Sequence, residues 1–374
     1  MYNKLHAAMP LGVSLKTTLR ALVRAVVRIA FDRRTARSLT PPKHILVIRW
    51  DGKLGDAMVS SFFYREAKKL GATVSVVTTT DLANMHREHF GADRVFVVPS
   101  NPGWKSLWRL IAQLSNVDTV VHLVGRIRAR ELVFLSLLSP RNVFSLDDEI
   151  GWVNGKMHRA TASLLFNEKY AYILHQLGAH DIDTRYVVPT LMVSPRSPKG
   201  RLRLVFNPFA SRPDKSIGKE KSTHLLGLLA KRLDDWDIGI LHRPATRAHA
   251  LVIQDAVNLP SVRILDGVHT FEDAIAVVAD ADLVVSVDTG FVHVADGLEK
   301  RLIAICATFD NSFNAWSPRA LPSTRIIWCP QDYDHYCRTG KKDMDNVDDA
   351  AILDALEWLL GEPAPACDSA AAQR

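Results

Sequence analysis

DLVVSVDTGFVHVADG, residues 282–297, sets an apolar run against an acidic residue, a hydroxyl, a glycine and a histidine. Val284 to Val287 reads as a buried parallel strand, and Thr289 with Gly290 turns the chain into a helix. The first free N–H groups of that helix would face an anion, which is how a nucleotide diphosphate is held.

Working outward, the same strand-then-helix pattern recurs on both sides. HILVIR (44–49) is followed by the glycine loop WDGKLGD and a helix from about Ala57 to Leu70, then by strands TVSVVTT (73–79), RVFVV (94–98) and TVVHLV (119–124). PTLMVSPRSPKG, with Pro189, Pro195, Pro198 and Gly200, breaks both periodicities and reads as a linker. A second series follows: strands at 202–207, 237–241, 262–265, 282–288, 301–307 and 325–329, with helices near 220–233 and 271–279. The expected fold class is α/β, with two Rossmann-like doubly wound parallel sheets facing a cleft. The expected division is a basic extension (1–42), a first Rossmann-like domain (43–190) and a second (200–346). A closing helix (347–362) and a tail (363–374) complete it.

The chain has 374 residues and a formal charge of +7. Residues 1–43 hold nine Lys/Arg against Asp32 alone, a local +8 that leaves −1 for the rest. That distribution excludes a generally basic nucleic-acid-binding surface. Four irregularly spaced cysteines, Cys306, Cys329, Cys337 and Cys367, do not make a secreted disulfide framework and point to a reducing compartment.

Within the extension, LKTTLRALVRAVVRIAF (15–31) spaces Lys16, Arg20, Arg24 and Arg28 four apart. At about 100° per residue they share an arc of roughly 120°, and Leu15, Leu19, Leu22, Val23, Val26, Ile29 and Ala30 share another. The arginines interrupt any apolar core long enough to span a bilayer. The helix is therefore expected to lie on an anionic membrane, basic face toward the lipid headgroups. The competing expectation is a helix packed on its own protein with the basic face in solvent.

Ligands of such folds bind beyond the carboxyl ends of the strands, so the loops after Arg49, Asn207, Leu241 and Val287 are the ones to search. Gly52 and Gly55 permit the first loop's tight bend, but GxGxxG is missing, which argues against a dinucleotide oxidoreductase. Asp56, at the helix start, suits either an N-cap or a general base for an acceptor hydroxyl. On NPFASRPDKS (207–216), Lys215 and the Ala210-Ser211 turn could face the same diphosphate as Thr289. His293 lies one turn into the helix, where packing and ligand binding are both open to it. Arg126, Arg128 and Arg130 of GRIRAR either clamp an anionic acceptor or start a helix in solvent. Three DxD triplets, 181–183, 332–334 and 343–345, are of a kind that arises readily in charged loops and are not read as a metal site.

The Gly55-Asp56 pair, the lysine of Ser-Arg-Pro-Asp-Lys, and DLVVSVDTGFVHVADGLEKRLIAICATFD together resemble the bacterial heptosyltransferases, glycosyltransferase family 9, of the GT-B fold; the similarity spans roughly residues 44–360. The resemblance implies inverting transfer of heptose from ADP-heptose to the lipopolysaccharide inner core of a Gram-negative cell, without a bound metal or other cofactor. It implies Asp56 as base, Lys215 and Ser211 on the leaving diphosphate, and Asp288, Thr289, Gly290 and His293 around that pocket. The partners it implies are a nucleotide sugar, a lipid-linked anionic oligosaccharide and the inner membrane's cytoplasmic surface, where the enzyme would sit peripherally. Three departures stand out. The family generally has Lys-x-Trp-Pro where this chain has Lys215-Ser-Ile-Gly; a ribose-binding Glu is replaced by Thr246; and the N-terminal extension is additional. The competing readings are a related transferase using another nucleotide sugar, and a non-catalytic, membrane-associated nucleotide-sugar binder.

Overall fold

The computed structural model describes residues 15–32, 38–189, 200–309 and 313–361. Among the described residues twelve strands form two sheets. The first contains β1 (His44–Arg49), β2 (Thr73–Thr78), β3 (Arg94–Val97), β4 (Thr119–Val121), β5 (Asn142–Ser145) and β6 (Gly155–Lys156). The second contains β7 (Arg203–Asn207), β8 (Asp237–Ile240), β9 (Val262–Ile264), β10 (Leu283–Val287), β11 (Arg301–Thr308) and β12 (Thr324–Pro330). Their orders are β3-β2-β1-β4-β5-β6 and β12-β11-β10-β7-β8-β9, and every pairing is parallel. Each sheet reverses direction beside its first strand, at β1/β4 and at β7/β10, so both crevices open where the Arg49, Asn207 and Val287 loops begin.

The central strands carry continuous apolar runs because helices cover both faces. Residues 45–47 in β1 and all five residues of β10 have no exposed surface. β5 and β6 went unrecognised in the sequence because NVFS is short and β6 has only two residues. The helix expected over about 57–70 is two helices, Leu54–Val59 and Ser61–Lys69. The break falls at Ser60, whose hydroxyl bonds back to the Asp56 and Ala57 carbonyls at 3.0 Å and competes with the helical ladder. The closing helix, Asp349–Gly361, buries Ile352, Leu356 and Leu359 in the core of the second sheet. The linker's residues 190–199 and the expected tail lie outside the described residues.

The lobes are joined rather than merely opposed. One apolar cluster runs from Ile45 and Phe63 through Tyr186 to Ile275, Val292 and Val294. Phe166 stacks on Trp316 with ring centroids 3.6 Å apart and donates its N–H to the Ala315 carbonyl. A further contact is backbone against backbone: a Cβ on Gly290 would lie 2.8 Å from the Gly55 nitrogen, and one on Gly55 would lie 3.1 Å from the Gly290 Cα.

The N-terminal helix, Leu15–Phe31, corrects the expectation for its arginines. Arg24 pairs with buried Asp147 at 2.7 Å and donates to the Ile127 carbonyl. Arg28 donates to the Glu149 carbonyl, and Asp32 accepts from the Gly151 and Trp152 amides. The Arg24 and Arg28 part of the basic face is thus docked on the first lobe, because Asp147 and Glu149 supply the counter-charge that lipid was expected to supply. Arg20 is exposed, and the Lys16 side chain lies outside the described ones. No helix among the described residues is long and apolar enough to cross a membrane.

The glycine contact gives a direct test. Gly290→Ala is expected to cost about 1–3 kcal/mol by forcing the lobes apart. Gly227→Ala, in the helix Lys219–Arg232 with nothing within 4 Å of the new Cβ, should instead stabilise by about 0.5–1 kcal/mol. Urea unfolding of the two variants measures the contrast.

Candidate active site

Two helix N-termini meet at the glycine contact. On the first lobe, the helix Leu54–Val59 is preceded by Lys53, and no side chain caps it. Asp56 is therefore in the first turn rather than at the cap, which removes the capping role. Its carboxylate instead meets Arg49, the last residue of β1, at 2.7 Å, and the same guanidinium reaches Asp51 at 3.0 Å. Tyr170 offers its hydroxyl oxygen to Arg49 at 3.4 Å.

One buried cation between two carboxylates divides their titration. Burial works against ionisation of Asp56, but Arg49 and the hydrogen bond with Asp51 outweigh it and hold its pKa below the usual carboxylate value. Burial pushes Asp51 up to about 6, against the pull of Arg49. Burial also works against the Arg49 charge, yet Tyr170, Asp56 and Asp51 leave its pKa well raised. Asp56 is consequently an anion at neutral pH, and Asp51 is the member of the pair that keeps a proton longest.

On the second lobe, Thr289 caps the helix Gly290–Gly297 and its hydroxyl accepts from the Phe291 amide. Asn207, at the end of β7, donates to both Ser286 Oγ at 2.9 Å and Thr289 Oγ1 at 3.2 Å, fixing the turn against its neighbour strand. Lys215 closes a short helical turn, Pro213–Lys215, and its ammonium lies 3.2 Å from Asp288. Lys342 joins this group: its amide donates to Asp214, and its pKa is lowered, first by burial and then by Lys215. His293 is buried, and its pKa is lowered by that burial despite Asp296, Asp288 and Asp56. It is a neutral imidazole at pH 7, with no partner for its Nδ1 among the described residues. A Cβ on Gly55 would stand 3.0 Å from the His293 ring, so the histidine sits at the seam between the lobes.

The expected site residues divide into groups. Asp56, Gly290 and His293 meet at the seam, and Lys215, Asp288 and Thr289 line the second-lobe turn beside it. Ser211 is exposed on the same loop as Lys215. Thr246 is engaged locally: its hydroxyl accepts from the Arg243 amide at 3.0 Å, while Arg243 Nη2 crosses to the Ala210 carbonyl. Arg128 and Arg130 converge on Asn101 Oδ1, and Arg126 is exposed beside them. The DxD aspartates serve local ends, with Asp183 on Arg185, and Asp332 and Asp343 capping short helices.

Sequence reasoning did not single out Asp51, Asn207, Arg243 or Lys342, and it noted Arg49 only as a strand end. Arg49, Asp51 and Asn207 sit at or just beyond the carboxyl ends of central strands, a positional signal that could have found them. Nothing local marks Lys342, because its role arises from a loop returning across the second sheet.

Residues 153–343 match the family described as glycosyltransferase family 9 (heptosyltransferase). The chain belongs to that family. No curated protein sequence matches it. Among solved structures, this glycosyltransferase is similar to a family 9 glycosyl transferase from Veillonella parvula, with 14% identity, a TM-score of 0.68, and 88% of this chain and 100% of that one covered. It is also similar to E. coli heptosyltransferase WaaC with ADP (18%, 0.63, 84% and 99% covered). E. coli ADP-heptose lps heptosyltransferase II gives 19%, 0.62, and 85% and 98% covered. At these identities the likeness establishes the fold, the two facing lobes of GT-B glycosyltransferases.

The carboxylate pair in this transferase makes stability pH-dependent in a defined sense. A group whose folded pKa is raised stabilises the fold while it is protonated and loses that contribution as pH rises through the folded value. The native protein is therefore expected to lose stability relative to Asp51→Asn as pH rises from about 4 to about 6. Paired urea titrations across that window test it, and a pH-independent difference would refute the assignment.

Proposed function

We propose that this glycosyltransferase is an inverting, metal-independent heptosyltransferase that moves heptose from ADP-heptose to a lipid-linked inner-core acceptor of lipopolysaccharide. Asp56 accepts the proton of the acceptor hydroxyl, whose oxygen forms the new bond at the anomeric carbon. The bond to the diphosphate oxygen breaks on the opposite face. The leaving charge falls to Lys215, Lys342 and the N–H of Gly290 at the helix start. Arg49 keeps Asp56 ionised, the state in which it can take a proton.

The observation that carries this reading is the meeting of Gly55 with Gly290, which sets the Asp56 carboxylate and the Thr289–Gly290 turn on the two sides of one seam. A direct displacement needs that opposition of base and cation. His293 Nδ1, uncharged and without a partner among the described residues, offers a hydrogen bond to the donor. Arg128 and Arg130 supply paired positive charge for phosphates or carboxylates of the acceptor, at the cytoplasmic face of the inner membrane, where the enzyme works peripherally.

A second reading keeps the chemistry and changes the nucleotide. It is favoured by Thr246, which spends its hydroxyl on the Arg243 amide, and by the guanidinium of Arg243 beside Ala210. A melting-temperature panel of ADP-heptose against other nucleotide sugars separates the two, because a ligand that binds the native state stabilises it.

The catalytic assignment has its own test. Asp56→Ala should lower turnover by at least about a hundredfold, the usual scale for a general base, while nucleotide binding changes only a few-fold. Lys215→Ala should weaken nucleotide binding. Radiometric transfer assays with parallel calorimetry read both, and full activity in Asp56→Ala would remove the base from the scheme.

A further inference from the structure

The N-terminal helix is amphipathic in the reverse of the usual sense for a surface helix. Arg24, Val27, Arg28 and Phe31 face the lobe, with Val27 and Phe31 packed on the core beneath. The half turned away carries no charged side chain: Leu19 is 60% exposed, Leu22 62%, Val26 58% and Ile29 88%, with Val23 beside them. A helix ordinarily turns such a stripe inward, and a contiguous apolar patch left in water marks an interaction surface.

Another helix on the same side of the first sheet adds exposed aromatic rings. The helices Trp104–Gln113, Ala129–Leu138 and Leu15–Phe31 cover one face of the first sheet, all packed on the cluster around Leu46, Ile48 and Val120. On the outer side of Trp104–Gln113, Trp104 (48%) and Trp108 (55%) are exposed four residues apart, with Lys105 and Arg109 on the adjoining ridge. Exposed Leu137 comes from the middle helix. Aliphatic side chains, paired tryptophans and cations without intervening acids match the layers of a bilayer boundary, since tryptophan favours the headgroup level and lysine and arginine favour anionic lipid. Charge agrees: residues 1–43 carry +8, and within the helix Arg24 and Arg28 are already neutralised by Asp147 and Glu149. A helix this short and docked this way lies along the surface.

We propose that the outer face of the helices Leu15–Phe31 and Trp104–Gln113 is a membrane-docking surface for anionic phospholipid, with Leu22, Val26 and Ile29 entering the acyl boundary and Trp104 and Trp108 at the headgroups. Arginine–carboxylate pairs hold the helix to the enzyme, and its apolar half holds the enzyme to the lipid. This deepens the reading of a peripheral enzyme and rests on it for the placing of the acceptor. The Arg128–Arg130 pair, at the start of the middle helix, is then fixed close to the lipid plane.

The test uses the full chain with sedimenting vesicles of phosphatidylethanolamine and phosphatidylglycerol, and with phosphatidylcholine vesicles as the uncharged control. The native protein is expected to pellet with the anionic vesicles and to show a blue shift in tryptophan emission. The triple variant Leu22→Ser, Val26→Ser, Ile29→Ser should lose at least about tenfold in partitioning, the scale expected for removing three buried aliphatic side chains. Trp104→Phe with Trp108→Phe should bind but lose the blue shift. Unchanged partitioning of the triple variant overturns the proposal. So does a vesicle-free dimer of the native chain that the triple variant dissolves, since a second copy would then cover the face. Stabilisation by ADP, followed in the same samples, reports on the donor lobe: its failure with vesicle binding intact would count against the proposed function alone, and the converse against the docking surface alone.

Discussion

The structure depends on two helix N-termini brought into van der Waals contact across the lobes by a pair of glycines. Each terminus carries unsatisfied N–H groups and a partial positive charge, so pressing them together is electrostatically unfavourable without nearby anions. Asp56 in the first turn of one helix and Asp288 before the other supply them. Any side chain at Gly55 or Gly290 would hold the termini apart, and the two carboxylates would no longer border the same space. Fold and site are therefore coupled at one point: what closes the lobes also sets the chemistry.

The two sides of that point handle charge differently. On the first lobe, Arg49 is surrounded by Asp51, Asp56 and Tyr170 in a place with little access to water, so a single cation governs two carboxylates. Burial alone would favour protonation of both, and the guanidinium reverses this for the nearer one. On the second lobe the balance is left open: among the described residues Arg212, Lys215 and Lys342 stand against Asp288 and Asp214, three cations for two carboxylates. An excess of cation facing an ionised carboxylate is an arrangement that accepts a leaving anion without having to rearrange.

The strands at the middle of each sheet were legible because both faces are covered, which makes β1 and β10 wholly buried and mostly apolar. The edge strands were not, since β6 pairs through only two residues and nothing in Gly155-Lys156 distinguishes it from a loop. Asp56, Lys215, Thr289 and His293 were legible because each follows a recognisable strand by a short turn. Asp51 was hidden in plain sight between Arg49 and Gly52: its importance lies in sharing a guanidinium with Asp56, which is a matter of distance rather than of spacing. Lys342 comes from the far end of the second series and acquires meaning only when its loop packs beside Lys215.

The N-terminal helix shows where periodicity stops short. The four-residue spacing of the arginines sets its two faces, yet which face meets the protein is not decided by the helix itself, because either could find a partner. The decision was made elsewhere, by Asp147 and Glu149. Asp147 Oδ2 also accepts the Ile127 amide at 2.7 Å, so this one oxygen takes both that bond and the Arg24 bond while the residue is almost wholly removed from water. Leaving that carboxylate without its guanidinium would strand a buried charge at a cost of about 3–5 kcal/mol, which a helix docked by its other face would have to carry. The first lobe thus selects the basic face, and the apolar face is left outermost by elimination.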